Sequence, residues 1–410
     1  MTTLVDEGRP AQSLTRDTNF LLLAGGQFVS QMGDRLAMVA FPWLVYSTTR
    51  SALSTGAVLA LFTLPYVLFG GLAGGLLDRI DKRGIMVAAD IVRAGLVLAV
   101  PVVAERSIAG VFVLAFLTSC ATVFFDPGLM ALVPEIVPEP SLLRANSVLS
   151  ATNHITEIVG YAAAGLVVFY LTAKATFAVD AGTFAVSAVT LLAMTLPGRK
   201  GTSDIAHAPD PRASLVGEIQ EGAVFLWRNA GLRANTLLAV AVGAGVGALY
   251  PLSFLLAMSR YGGTRAFGMM ECAIATGFLL GSIALGALAK RIPKGKSIIA
   301  GLIVMGLCCA LTAVLGSFLL VLVDFTVLGF ANGAVLISID TYVQSTVPAA
   351  LRGRVWGVRF TLTQGVYALG VLVAGALAAT VGLGPLFGLC GLIVLVPALI
   401  GLFLPVIRDV

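Results

Sequence analysis

The stretch GGLAGGLLDRIDKRG, residues 70–84, sets Asp78, Arg79, Asp81, Lys82 and Arg83 close together between two long apolar runs. Other ionisable residues lie inside apolar runs: Asp34 beside Arg35, Asp90 and Arg93 one helical turn apart, and Asp126, Glu157, Asp180, Glu271 and Asp324 singly. A charge at the centre of a membrane helix costs roughly 2.5–3.5 kcal/mol on insertion scales, so each needs a partner or a task. Carboxyls so placed can exchange protons, hold a cation or pair across a gate. Other chemistry lacks its residues. His154 and His207 have no metal partners near them in sequence, and the five cysteines form no CxxC or Cys/His cluster, so buried free thiols and no metal site are expected. GAGVG at 243–247 imitates a dinucleotide loop but follows no strand, and no Walker-type loop offers a site for ATP. A membrane-embedded enzyme would need a catalytic cluster, which this pattern does not supply.

These charges are positioned by long apolar elements. The chain is 58% hydrophobic and 11% charged, with a mean hydropathy of +0.98. Too few polar residues exist to coat a soluble body of this size. The net charge of +5 comes from short clusters between apolar runs rather than a basic stripe, which argues against nucleic acid. A helix needs about 20 apolar residues to cross the hydrocarbon layer. Twelve runs meet this, at 19–47, 53–77, 85–104, 108–132, 145–172, 176–196, 232–258, 266–289, 297–315, 318–343, 355–379 and 385–407. They do not alternate apolar with polar residues, which excludes a barrel. An all-α membrane protein of twelve transmembrane helices is predicted.

With the N-terminus inside, most Lys and Arg fall on cytoplasmic segments, and only Arg50, Arg106, Lys174, Arg260 and Arg265 fall outside. Both termini are therefore expected in the cytoplasm. Residues 1–18 form a polar tail with no apolar stretch before a cleavage site, so the first apolar run is expected in the mature protein. The polar stretch PGRKGTSDIAHAPDPRAS at 197–214 divides the chain almost in half, and an amphipathic helix is expected in the segment after it. The predicted organisation is a tail at 1–18, a six-helix bundle at 19–196, a cytoplasmic linker at 197–231 and a second bundle at 232–410. The halves resemble each other: GGLLDRIDKRGIMVAADIVRAG at 74–95 aligns with GALAKRIPKGKSIIAGLIVMG at 286–306, and VPEPSLLRANSV at 137–148 with VPAALRGRVWG at 347–357. Such a duplication places a transport site at the midplane between pseudo-symmetric halves.

GGLLDRIDKRG resembles the loop signature between the second and third helices of the major facilitator superfamily. SQMGDRLAMVAFPWLVYSTTRSALSTG, DPGLMALVPEIVPEPSLLRANSVLS, FAVDAGTFAVSAV, EIQEGAVFLWRN and VPAALRGRVWG are similar to its macrolide-efflux and enterobactin-exporter branch. The resemblance covers most of the chain. It implies the major facilitator fold, with Gly74 allowing two helices to approach, Asp78 capping or pairing with the opposite half, and the basic residues holding the cytoplasmic face. It departs from the family in two places. Tyr161 in GYAAAG stands where exporters usually have proline, and the fourth run, FVLAFLTSCATVFFDPG, lacks the arginine of many drug antiporters.

Depth along each run, at about 1.5 Å per residue, assigns the charges. Asp34 and Arg35 lie about 22 Å into the first run, Glu157 about 18 Å into the fifth, and Asp324 about 9 Å from the outer end of the tenth. Asp34 either pairs inside the membrane with a basic residue, Arg35 being the one beside it, or serves transport. Glu157, with no cation beside it in sequence, is expected to exchange protons near neutral pH. Asp180 and Glu271 fall near the outer ends of their runs, where either a helix N-terminus or a coupling role accounts for them. Gly74, Asp78, Arg79, Arg83, Asp90, Arg93 and Asp126 are read as a cytoplasmic gate, with Arg352, Arg354 and the helix start at Val355 facing Asp78 from the other half. Tyr46, Tyr66, Tyr161, Tyr250 and Tyr342 are candidate cavity aromatics. The expected function is plasma-membrane export of small amphiphilic drugs or metabolites by a monomer, driven by a proton gradient without a cofactor. A lysophospholipid or siderophore carrier of the same fold is the alternative.

Overall fold

The computed structural model describes residue 14 and residues 17–77, 81–138, 141–195, 215–288, 293–348 and 351–403. Asp78 and Arg79 of the expected gate, most of the N-terminal tail and the 197–214 stretch lie outside the described residues. Within them the chain forms thirteen helices and no strand. The first half holds α1 (Thr18–Thr49), α2 (Ala52–Leu77), α3 (Lys82–Ala104), α4 (Ile108–Ile136), α5 (Leu142–Tyr170) and α6 (Ala173–Ala193). The short α7 (Leu215–Arg228) leads into α8 (Ala230–Arg260), α9 (Thr264–Leu288), α10 (Lys294–Thr312), α11 (Phe318–Thr346), α12 (Arg352–Val381) and α13 (Leu383–Leu402).

Local chemistry sets the helix starts. Asp17, Asp81, Ser107, Thr172 and Asn229 each accept a hydrogen bond from a backbone N–H in the first turn of α1, α3, α4, α6 and α8, satisfying a donor that the helix leaves open. One acid of the 70–84 cluster therefore serves as a cap. Ten of the helices are long and apolar enough to cross a membrane. The two other long helices, α1 and α5, have 32 and 29 residues but are more polar. These two pack against each other, so the polarity that weakens their hydropathy is turned inward.

The halves repeat one packing scheme. In the first, α1 packs on α5 and α6, α2 on α4, and α3 on α4 and α6; in the second, α8 packs on α12 and α13, α9 on α11, and α10 on α11 and α13. Between halves, α5 meets α9 and α12 meets α2, which is the same contact related by the pseudo-twofold. We call the end of the molecule where α1 begins the near end. The interhalf contacts lie between mid-helix and the far end. Two glycine crossings carry them: a Cβ on Gly56 would stand 2.9 Å from the Gly375 Cα, and one on Gly165 would stand 2.9 Å from the Gly268 Cα. Only glycine allows backbones that close, the device membrane helices use where no hydrophobic force draws them together. The rings of Tyr46 and Phe254 meet at 5.8 Å in the same region, and the Tyr250 hydroxyl reaches the Met38 carbonyl at 3.5 Å. α7 lies along α12, with Leu226 fully buried and Ile219 and Trp227 exposed on its other side.

Candidate functional site

A cavity of about 240 Å³ stands at mid-helix, on the near side of the interhalf contacts. Its α1 wall is the stripe Gln27, Ser30, Gln31, Asp34 and Met38, a spacing that puts all five on one helix face. Phe62 and Tyr66 of α2 face them one turn apart, and α4 contributes Thr118, Thr122, Phe125, Asp126 and Leu129 at the same periodicity. Arg35, Arg93, Asn153 and Phe184 complete the charged and aromatic lining. Every lining residue belongs to the first half.

Arg93 is the hub. It is 1% exposed, its guanidinium stacks between the rings of Phe125 and Phe184 at 4.5 and 4.3 Å, and it donates to Asp90, which is fully buried. Its other terminal nitrogen lies 3.9 Å from Asp34, whose side chain is partly exposed in the cavity. Asp180 is also fully buried; its Oδ1 lies against Gly33 of α1, and neither carboxyl oxygen has a hydrogen-bond partner among the described residues. Beside this hub, Arg35 reaches Glu157 at 3.2 Å and Asn153 at 3.4 Å and lies 5.3 Å from the Tyr161 ring. Tyr66 donates to Asp126 at 2.9 Å.

Several sequence expectations change. Asp90, Arg93 and Asp126 do not stand at a helix-end gate. Arg93 is about 16 Å into α3 and Asp126 about 15 Å from the end of α4, which places both beside the cavity. Asp34 does not pair with Arg35, because neighbours on a helix point about 100° apart and the two are directed to different helices. Glu157 is not without a cation: Arg35 meets it at 3.2 Å, and the His154 ring lies 3.4 Å from its other carboxyl oxygen. Asp180 and Glu271 lie about 10 Å into α6 and α9, beyond the first turn where the dipole acts, and Thr172 supplies the α6 cap. Glu271 is buried and accepts from Ser253 at 3.1 Å. Asp324 accepts from Thr312 at 2.7 Å within the second half, away from the cavity lining. Of the five tyrosines, Tyr66 lines the cavity. Tyr46 and Tyr250 sit at the interhalf contact, Tyr161 under Arg35, and Tyr342 against Gly231 at the near end of the second half.

The remaining gate residues among those described are at the near end. Arg83 donates to the Leu192 carbonyl, joining α3 to the end of α6, and Arg352 donates to the Val347 carbonyl at 3.1 Å, closing α11. Arg354 donates to Glu221 of α7. Gly74 lies on α2. Sequence reasoning missed Gln27, Gln31 and Asn153, although the spacing of the first two and the low hydropathy of α1 and α5 were available signals. The described residues hold no group of three or more His, Cys, Asp or Glu able to bind a metal ion.

A membrane bundle of two pseudo-symmetric halves, with a charged cavity at mid-depth in the first, has the architecture of a transport protein. The family model of the Major Facilitator Superfamily matches residues 23–370 and again 267–409, and the chain belongs to that family. It is 30% identical to the multidrug efflux pump Tap of Mycolicibacterium fortuitum, over 96% of this chain and 98% of that one. It is 26% identical to macrolide efflux protein A of Streptococcus pyogenes, over 95% and 96% respectively. Among solved structures, the nucleoside transporter NupG superposes with a TM-score of 0.74 at 17% identity, covering 94% of this chain and 98% of that one. A POT family transporter in complex with 5-aminolevulinic acid gives 0.76 at 12% identity, covering 96% and 97%. At those identities the structures speak for the fold alone.

Proposed function

We propose that the protein exports amphiphilic drugs or metabolites across the plasma membrane by alternating access, in exchange for protons, as a monomer with both termini cytoplasmic. The observation that carries this reading is the asymmetry along the bundle axis. The halves meet at the far end, and the charged cavity lies on the near side of that contact, as in a carrier closed to the outside and loading from the cytoplasm. The names of the efflux relatives favour export over uptake.

Proton coupling is supported by the charge balance around Arg93. Asp34, Asp90, Asp126 and Asp180 share the surroundings of one guanidinium, and uncompensated charges in an apolar interior are costly. Protons on some of these carboxyls relieve the imbalance. Asp34 is partly exposed in the cavity and close to Arg93, so it is the member that exchanges a proton with the cavity. When the near end closes, Asp78, which lies outside the described residues, is proposed to meet the basic residues at the start of α12, and Asp78→Asn is expected to cut transport strongly while leaving protein in the membrane.

Efflux from proteoliposomes, measured for a chemically varied set of amphiphiles with and without a protonophore, tests the function. Efflux that ignores the proton gradient for every compound would overturn the antiport. A cysteine introduced as Ser203→Cys should resist an impermeant thiol reagent in intact cells. Strong labelling there would reverse the topology.

A further inference from the structure

The short helix α7 is apolar on two sides, and one of them is exposed. On the inner side Leu226 is fully buried in a cluster with Leu232 of α8, Val343 of α11 and Val355 of α12. A Cβ on Gly222 would stand 2.7 Å from the Arg354 carbonyl carbon, so α7 meets α12 at backbone contact, and Glu221 accepts from Arg354 beside it. The outer side carries Ile219, Val224 and Trp227, exposed by 60, 41 and 44%. Ile219, Ala223 and Trp227 recur every four residues, a spacing that keeps them on one helix face. A helix that is apolar on both sides buries both, so the outer side of α7 takes a second apolar contact.

Its surroundings identify the occupant. α7 packs on α8 and α12 where both begin, and these two spanning helices expose Leu237 and Phe360 further along. Arg233 precedes Leu237 by four residues, so an exposed cation sits one turn nearer the end of α8 than an exposed leucine on the same face. That is the level at which Arg and Trp gather at a membrane surface. Arg233 donates to the Trp227 carbonyl at 3.0 Å, and the exposed Arg228 follows Trp227 directly. Neither arginine pairs with an acid among the described residues. Of the two acids on α7, Glu221 is held by Arg354, and Glu218 stands about 15 Å before Arg228 along the axis.

We infer that the outer face of α7 seats on the near leaflet of the bilayer, with Ile219, Val224 and Trp227 in its apolar boundary and Arg228 and Arg233 holding the headgroup of an anionic phospholipid. A guanidinium pairs with phosphate through charge-assisted hydrogen bonds, and two uncompensated cations favour a headgroup of net negative charge over a zwitterionic one. The indole beside them supplies the apolar contact that anchors a helix in the plane of the surface. The assignment requires that the bundle spans a membrane, and it stands whichever way cargo moves.

The test reconstitutes the full-length protein in phosphatidylcholine vesicles containing a fixed fraction of brominated phosphatidylglycerol or of brominated phosphatidylcholine with the same acyl chains. Bromine quenches indole fluorescence on contact, and subtracting the signal of Trp227→Phe from that of wild type removes Trp43 and Trp356. Trp227 should be quenched by both lipids, with an apparent affinity for phosphatidylglycerol about five-fold or more above that for phosphatidylcholine. Replacing both arginines, Arg228→Gln with Arg233→Gln, should bring the two lipids within about two-fold of each other. Quenching by brominated phosphatidylcholine should stay at the wild-type level in that variant, which also shows that α7 is still in place, as expected while Asn229 caps α8. Equal quenching by both lipids in the wild type, or a preference that survives the loss of both arginines, overturns the headgroup site. A Trp227 that neither lipid quenches overturns the membrane contact itself and leaves the face to a second copy or a soluble partner.

Discussion

The two halves share one packing scheme but not one chemistry. In the first half, Arg93 is sealed between two phenyl rings and serves Asp90 and Asp34, while Asp180 lies buried beside α1. The second half has a simpler pair, Arg359 and Asp340 at 3.6 Å, and its buried acids Glu271 and Asp324 are each satisfied by a hydroxyl. Asp340 is 39% exposed on its side chain, whereas Asp90 is fully buried. Duplication therefore repeats the scaffold, while among the described residues the larger charged cluster lies in one copy.

Removing the cation from each half tests this difference most severely. Arg93→Leu leaves Asp90 buried without its partner, a loss of about 3–5 kcal/mol, and should abolish transport along with much of the yield of folded protein. Arg359→Leu should be milder, because Asp340 can still reach water. Melting of the detergent-solubilised proteins compares the two, and equal destabilisation would remove the distinction between halves.

Within the first half, Asp34→Asn should lower gradient-driven efflux by about ten-fold or more while exchange of substrate down its own gradient continues. Glu157→Gln should lose much less, since Arg35 keeps Asn153 and the ring of Tyr161. The readout is proteoliposome flux with and without an imposed pH difference. A Glu157→Gln protein that has lost coupling, beside a coupled Asp34→Asn protein, would move the proton site to Glu157.

At the seam, a side chain at Gly165 would meet the Thr264 carbonyl oxygen at 2.8 Å, so Gly165→Val should destabilise the far-end contact by about 1–3 kcal/mol. Spin labels attached through Arg106→Cys and Arg260→Cys, both exposed at the far end, should then report a longer mean distance than in the protein with Gly165 intact. An unchanged distance would mean that the crossing does not hold that end shut.

The smallest effect is expected in the second half. Asp324→Asn keeps an acceptor for Thr312 and loses only the charged character of that bond, a change of about 1 kcal/mol. Transport per folded molecule should match wild type. A coupling defect there would show that the second half also handles protons.

Much of the scaffold was legible in sequence because its causes are local. Run length identifies most of the long helices, Asp81 and Thr172 announce helix starts by type and position, and the near-repeat at 74–95 and 286–306 anticipates the second bundle. The polar stripe from Gln27 through Asp34 was equally available, as a spacing on one helix face. The 70–84 cluster was only partly legible: Asp81 caps α3, Lys82 reaches Glu135 of α4 at 2.5 Å and Arg83 ties α3 to the end of α6.

The pairing of charges came from tertiary packing. Adjacent Asp34 and Arg35 invite a local pair, yet the turn of the helix sends one to α3 and the other to α5, and Arg35 meets Glu157 from 122 residues away. Glu157 looked isolated only because its cation, Arg35, is distant in sequence. Asp126 looked like a gate acid because the fourth run was ended at 132, whereas α4 continues to Ile136 and turns Asp126 toward Tyr66 of α2. Sequence alone determined that this chain is a membrane bundle carrying buried carboxyls, since length, hydropathy and capping act within a helix. Which carboxyl is paired, which is sealed and which faces the cavity depends on how each helix is rotated against its neighbours, and that rotation is set by packing among side chains from several helices at once.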